Sequence, residues 1–151
     1  MITSPEKPII LLITDDAAEE SHSAHILAKY HFDNFLVKLR KSTDAIKYFR
    51  VCASPEIGAS ESLPELIILG LREGGRIHQA PIMESRRGSL VAIPLIVIAE
   101  SREEEEEIRR LQLPNTTTVT RPIGFFKLLE AMQKLEMRWI VLRPKAGAPG
   151  R

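Results

Sequence analysis

Residues 9–16 read IILLITDD, and this short stretch decides the fold. Its first five residues are all apolar, and three of them are isoleucine, a β-branched residue. A continuous apolar run of this length is typical of a strand buried on both faces of a parallel sheet. The run is far too short to span a membrane, and Asp15 and Asp16 follow it almost directly. The stretch therefore predicts a buried strand that ends in a pair of carboxylates.

Four further segments show a short apolar or β-branched run, and helical patterns lie between them. The predicted strands are residues 35–39, 66–69, 95–98 and 116–120, and the predicted helices begin near Ala17, Ser42, Pro81, Ser101 and Phe125. Residues 53–64 are predicted to form a surface loop and residues 71–79 an irregular connection. Strands that alternate with helices indicate an α/β fold with a doubly wound, five-stranded parallel sheet. Functional residues of such sheets lie at the carboxyl ends of the strands. The residues at those ends are Asp15, Asp16, Gly70, Ala99 and Arg121.

Residues 101–110 read SREEEEEIRR and have a clear helix start. Ser101 and Glu104 have the spacing of a capping box, in which each side chain binds the other residue's backbone N–H. Carboxylates favour a helix N-terminus, and arginines follow the glutamates at a spacing of four residues. We therefore expect the acidic run 103–107 to be a solvated helix face.

Composition limits the classes of partner. The chain has 151 residues, and its 21 Lys and Arg nearly balance its 20 Asp and Glu, for a net charge of +1. Without a basic excess or a basic stripe, neither a nucleic-acid nor a membrane partner is expected. Cys52 is the only cysteine, so there is no disulfide framework. We predict one cytoplasmic domain over residues 1–144 and a disordered tail over residues 145–151.

Segments at the predicted strand ends carry a family resemblance. They are residues 11–16 (LLITDD), 63–71 (LPELIILGL), 93–99 (IPLIVIA) and 119–123 (VTRPI). In this order and spacing the chain resembles the receiver domains of response regulators, the flavodoxin-like domains that histidine kinases phosphorylate. Residues 137–144 (MRWIVLRP) are similar to the C-terminal arm of the single-domain, phytochrome-associated response regulators. The resemblance implies a receiver fold with a C-terminal extension.

The resemblance also implies a phosphorylation pocket, from which this sequence departs. In the family, an aspartate at the end of the third strand takes a phosphoryl group from a phosphohistidine, and two acidic residues help to hold Mg²⁺. A lysine neutralises the phosphoryl oxygens, and a serine or threonine acts with an aromatic residue to move the fourth helix. Here Gly70 stands at the acceptor position, Ala99 at the serine or threonine, Thr118 at the aromatic residue and Arg121 at the lysine. The family's phosphotransfer activity therefore does not carry over.

The surviving acidic pair, Asp15 and Asp16, has two interpretations. As metal ligands the two residues lack the third carboxylate, so Mg²⁺ would bind weakly or not at all, and no other cofactor is expected. Alternatively, one of them pairs with Arg121 or caps the first helix. We favour a constitutive pair between Arg121 and one of these aspartates, because a planar guanidinium matches a carboxylate well.

These observations predict a non-enzymatic pseudo-receiver of a two-component phosphorelay. It would bind a histidine kinase, another regulator or an output protein through its fourth helix, fifth strand and fifth helix. The apolar segment after the last helix needs cover, either from its own domain or from a second copy. In the phytochrome-associated regulators that the chain resembles this arm supports homodimers, and the resemblance therefore implies a two-fold dimer. Its predicted interface is Trp139, Ile140, Val141 and Leu142.

Three alternatives stay open. The chain could retain phospho-acceptance at another residue, although no nearby group matches the acceptor position. It could be a small-anion module, with an anion beside Arg121 and Arg72 in a pocket that Gly70 has widened. Finally, it could be an inert fold that serves only to dimerise.

Overall fold

The structure is a computed structural model and describes residues 9–29, 35–53 and 63–135. In chain order the elements are β1 (Ile9–Thr14), α1 (Ala17–Lys29), β2 (Phe35–Leu39), α2 (Ser42–Ala53), β3 (Leu66–Gly70), β4 (Arg72–Glu73), β5 (Arg76–Ile77), α3 (Gln79–Glu84), a 3₁₀ helix (Gly88–Ala92), β6 (Leu95–Ala99), α4 (Arg102–Arg110), β7 (Thr116–Thr120) and α5 (Phe125–Lys134). The predicted arm residues 139–142 and tail 145–151 lie outside the described ranges, as do residues 54–62 of the predicted loop.

The five long strands form a parallel sheet in the order β2-β1-β3-β6-β7, which confirms the predicted doubly wound sheet. The chain moves outward from β1 to β2 and then returns to β3 on the other side of β1. This reversal places a crevice at the carboxyl ends of β1 and β3. The register pairs Thr14 with Gly70 and Ala99 with Thr120, so the strand ends are aligned there.

The core has two layers, one on each face of the sheet, because successive strand residues point to opposite sides. On one face, buried residues of the strands pack against α1 and α5; they include Ile10, Leu12, Ile68, Ile96, Leu27, Leu128 and Met132. On the other face they pack against α2, α3 and α4; they include Leu11, Ile13, Ile67, Val97, Phe49, Ile82 and Ile108. Burial of each such side chain contributes about 2 kcal/mol, which explains why continuous apolar runs specify the strands.

Residues 71–79 were predicted to be irregular, and this was wrong. They contain a short antiparallel hairpin in which Arg72 pairs with Ile77 and Glu73 with Arg76. Gly74 and Gly75 form its turn with φ values of 62° and 79°. Two successive positive φ values are what a tight two-residue hairpin turn needs, and glycine adopts them without strain.

Helix α4 begins as predicted, but its capping box is half formed. The Ser101 hydroxyl accepts a hydrogen bond from the Glu104 backbone N–H at 3.2 Å. The Glu104 carboxylate binds the backbone N–H of Glu100 instead, at 2.8 Å. Its side chain thus faces the carboxyl end of the sheet.

No helix within the described ranges has the length and apolarity needed to cross a membrane.

Candidate functional site

The carboxyl ends of β1, β3, β6 and β7 meet at one edge of the sheet. Gly70 lies beside Thr14 in the register, and the backbone N–H of Arg121 donates to the carbonyl of Ala99 at 3.0 Å. The structure therefore brings together Gly70, Ala99 and Arg121, as the sequence predicted. The site is built around these residues.

The space beside Gly70 is already filled. Gly70 is buried, and a Cβ atom added to it would lie 3.0 Å from Ile98 Cδ1 and 3.1 Å from Glu19 Oε1. Both distances are shorter than ordinary van der Waals contact, so the neighbours would have to move. The expectation that the pocket is wider without an aspartate side chain was wrong, because the carboxylate of Glu19 lies in that space.

Glu19, in the first turn of α1, is the acid that binds Arg121. Its side chain is only 6% exposed, and Arg121 Nε and Nη2 donate to its two oxygens at 2.5 and 3.1 Å. The hydroxyl of Thr14 donates to Oε1 at 2.7 Å. Burial alone would lower the pKa of Arg121, but the hydrogen bonds and charge of Glu19 raise it above its usual value. The guanidinium thus stays charged in this pocket.

The predicted pairing of Arg121 with Asp15 or Asp16 was therefore wrong in its partner. Asp16 Oδ1 accepts a hydrogen bond from the Glu19 backbone N–H at 3.0 Å, which is the geometry of a helix N-cap. Asp15 is exposed. Helical side chains lean toward the N-terminus of their helix, so Glu19 reaches back over the sheet edge. The alternative prediction, that one aspartate caps the first helix, is confirmed for Asp16.

A magnesium site of the receiver type does not fit these residues. Mg²⁺ binds oxygen ligands that are free to coordinate it. Both oxygens of Glu19 accept hydrogen bonds from Arg121, and Asp16 caps α1. Among the residues the structure describes, no group of three or more His, Cys, Asp or Glu could hold a metal ion.

The next residue of α1, Glu20, is bound by a second arginine, Arg40. Its carboxylate is 5% exposed and accepts hydrogen bonds from Arg40 Nη2 at 2.8 Å and Nε at 3.1 Å. The hydrogen bond from Arg40 is the main cause of a lowered pKa at Glu20. Two arginines that follow different strands, β2 and β7, therefore hold adjacent glutamates of one helix.

A second ion pair ties the β4–β5 hairpin to α4. Glu104 is buried, and Arg72 Nη1 and Nη2 donate to its carboxylate at 2.8 and 2.7 Å. The backbone N–H groups of Ile77 and Glu100 also donate to it, at 3.1 and 2.8 Å. The hydrogen bonds from Arg72, followed by those from the backbone, lower the pKa of Glu104 against the effect of its burial. Glu104 thus joins three segments at the pocket edge.

These pairs argue against the small-anion alternative. Arg121 binds Glu19 and also donates from Nη1 to Glu100 at 2.8 Å. Arg72 is held by Glu104 and donates to the carbonyl of Gly75 at 2.8 Å. The two arginines proposed to hold an anion are both neutralised by carboxylates of the same chain.

The acidic run 103–107 is only partly the solvated face that was predicted. Glu104 is buried, and Glu105 accepts a hydrogen bond from the Thr118 hydroxyl at 2.9 Å. Arg109 binds Glu106, three residues before it, and not Glu105, which the predicted spacing of four residues would pair with it. Thr118, predicted to stand at the family's aromatic position, therefore links β7 to α4.

Sequence reasoning missed Glu19 and Glu104 as site residues. Both lie in the first turn of a helix that follows a strand end, where a side chain can reach back over the sheet edge. The signal for Glu19 was the combination of a glycine at the acceptor position, Gly70, with an arginine at position 121. Without an acceptor carboxylate, the Arg121 guanidinium requires a counter-ion from elsewhere in the chain.

Comparisons with known proteins agree with this fold. No protein-family model matches the chain. It is 23% identical over 146 residues to the probable methanogenesis regulatory protein FilR2 of Methanothrix harundinacea (strain 6Ac), covering 92% of this chain and 88% of that protein. The structure of the bacteriophytochrome response regulator AtBRR matches with a TM-score of 0.75 and 24% identity, over 92% of this chain and 99% of that one. The phosphorylated cyanobacterial phytochrome response regulator RcpA matches with a TM-score of 0.64 and 22% identity, over 97% and 100%. The fold is that of response regulator receiver domains.

Proposed function

We propose that this chain, which has the receiver fold, is a pseudo-receiver of two-component signalling that acts by binding a protein partner without being phosphorylated. One observation carries the proposal. The carboxylate of Glu19 lies 3.1 Å from where a side chain at Gly70 would begin, and Arg121 binds it there. The pocket that would accept a phosphoryl group is closed by an ion pair of the chain itself.

Glu19 is also the strongest candidate for a substitute acceptor, and its contacts argue against that role. A carboxylate that attacks a phosphorus atom needs an oxygen that the phosphorus can approach. Oε1 accepts from Thr14 and Arg121, and Oε2 accepts from Arg121. A phosphoryl group would have to separate this buried pair. Ala99 has no hydroxyl, so a phosphoryl group transferred to Glu19 would lack a stabilising hydrogen bond from this position.

The proposed partner is a histidine kinase, another regulator or an output protein, and the proposed role is non-enzymatic and cytoplasmic. The surface formed by α4, β7 and α5 supports protein binding, because Phe126 on α5 is 79% exposed. Aromatic side chains are enriched at protein interfaces. Exposed charges of both signs, such as Glu103 and Arg110, lie on α4 of the same surface. We propose no nucleic-acid or membrane partner.

We also propose a homodimer through Trp139, Ile140, Val141 and Leu142, which lie outside the described residues. The support is their sequence, since four successive apolar residues need cover. Sedimentation equilibrium is expected to give twice the chain mass for the native protein and a monomer for Val141→Asp. Lys145→Ser, in the adjacent tail, serves as the control and should remain dimeric. A native protein that sediments as a monomer would refute the dimer.

The experiment that tests the proposed function is intact-mass measurement after incubation with Mg²⁺ and acetyl phosphate. The native chain is expected to keep its mass, because it offers no free carboxylate at the acceptor position. A gain of one phosphoryl group would overturn the proposal and would favour a non-standard acceptor.

A further inference from the structure

We propose that Glu19 is an internal substitute for the missing acceptor side chain and that it holds α4 in one fixed position through Arg121 and Glu100. The inference rests on the proposed function, because it states how a receiver without phosphorylation presents its partner-binding surface. On this proposal, a residue of α1 determines the position of α4.

The first step is the position of Glu19. Its carboxylate comes from a helix, yet it lies against the end of β3, where an acceptor carboxylate would come from the strand. Thr14 and Arg121 bind it, and its side chain is 6% exposed. An acid that is buried and hydrogen-bonded at both oxygens is held in one place, since its departure would break both hydrogen bonds that Arg121 donates to it.

The second step is the guanidinium of Arg121, which bridges two parts of the chain. Nε and Nη2 bind Glu19 on α1, and Nη1 binds Glu100 at 2.8 Å. Glu100 is the residue between β6 and the cap of α4. One planar group therefore links α1 to the turn that leads into α4, through a Glu100 side chain that is 56% exposed.

The third step runs from Glu100 into α4. The backbone N–H of Glu100 donates to the carboxylate of Glu104, in the first turn of that helix. Glu104 in turn holds Arg72 and Ile77 of the hairpin, and Glu105 holds Thr118 of β7. The first turn of α4 is thus bound to the β6 turn, the hairpin and β7.

A single state follows from this chain of contacts. A partner or ligand shifts a conformational equilibrium only where a second arrangement is accessible. Moving α4 would break the hydrogen bonds that Glu104 and Glu105 accept from the hairpin and from β7. The surface that includes α4 is therefore presented permanently, and its position depends on Glu19.

Hydrogen exchange measured by mass spectrometry in Glu19→Gln and Glu20→Gln tests this coupling. The two changes are matched, since each removes the charge of a buried, arginine-bound glutamate in the first turn of α1. Of the two, Glu19 is linked to the turn before α4 through Arg121 and Glu100, whereas Glu20 binds Arg40, which follows β2. We expect residues 100–110 to exchange about tenfold faster than in the native protein in Glu19→Gln, a typical coupling effect, and to be much less affected in Glu20→Gln.

Equal changes over residues 100–110 in the two variants, or no change in either, would overturn the inference. Should Glu19→Gln fail to fold, Glu19→Asp and Glu20→Asp provide the same comparison with the charge retained and the reach shortened. The exchange is measured without a phosphodonor, so its result is separate from the proposed function. A native chain that gains a phosphoryl group would refute the proposed function and leave the measured coupling unchanged.

Discussion

Replacing Gly70 by aspartate is expected to destabilise the protein by about 3 kcal/mol instead of restoring a receiver pocket. The new Cβ would lie 3.0 Å from Ile98 and 3.1 Å from the carboxylate of Glu19. Two carboxylates about 4 Å apart repel each other by about 4 kcal/mol at an effective dielectric constant near 20, and Arg121 offsets part of this. The free energy of unfolding from urea titration measures the effect.

Matched variants separate the steric part from the electrostatic part. Gly70→Ala adds the Cβ without the charge and should cost about 1 kcal/mol, since only a small overlap must relax. Gly70→Asp should cost about 2 kcal/mol less in a Glu19→Ala background than in the native chain, which is the coupling energy between the two positions. An equal cost in both backgrounds would show that Glu19 does not occupy the space beside Gly70.

Glu104→Gln is expected to lower the free energy of unfolding by about 3 kcal/mol at neutral pH, because it leaves Arg72 without a buried counter-ion. The Glu104 side chain is 9% exposed and that of Arg72 is 15% exposed, so solvent replaces little of the lost interaction. Glu103→Gln, on the exposed side of the same helical turn, is the control and should change stability by less than about 0.5 kcal/mol. Similar losses in both variants would contradict the assignment.

Glu104→Gln should also change how the free energy of unfolding depends on pH in the acid range. Its pKa in the folded protein lies below the ordinary value of 4.5, chiefly because Arg72 donates to it. The stabilisation is therefore fully present above that ordinary value and is lost as the pH falls through the lower folded-state pKa. Urea titrations across the acid range should show a shallower loss for Glu104→Gln than for the native protein, with the remaining slope including Glu20, whose pKa is also lowered. Parallel curves for the two proteins would refute this linkage.

The sheet could be predicted from the sequence because burial on both faces leaves a continuous apolar run, as in residues 9–13. The hairpin could not be recognised by alternation, since its strands have two residues each, although Gly74 and Gly75 carried a turn signal. For this hairpin, the two glycines of the turn were more informative than the alternation of apolar and polar residues.

The site was predictable in part. Gly70 and Ala99 are the last residues of their strands and Arg121 follows β7, so the topology alone brings them to one edge. The acid that binds Arg121 was not predictable in the same way. Glu19 is 102 residues away from Arg121 in the chain. It competes with Asp15 and Asp16, which follow the end of β1 directly. Which carboxylate pairs with Arg121 depends on the direction and the burial of a helical side chain. Sequence spacing specifies neither of these.

Intact-mass measurement with Mg²⁺ and acetyl phosphate tests the central claim most directly when the native chain is compared with the double variant Glu19→Ala/Gly70→Asp. The double variant moves the pocket carboxylate from α1 to the end of β3, the position from which the family's acceptor carboxylate projects. We predict no mass change for the native chain and the gain of one phosphoryl group for the double variant. A native chain that gains a phosphoryl group would contradict the claim that its own ion pair closes the pocket.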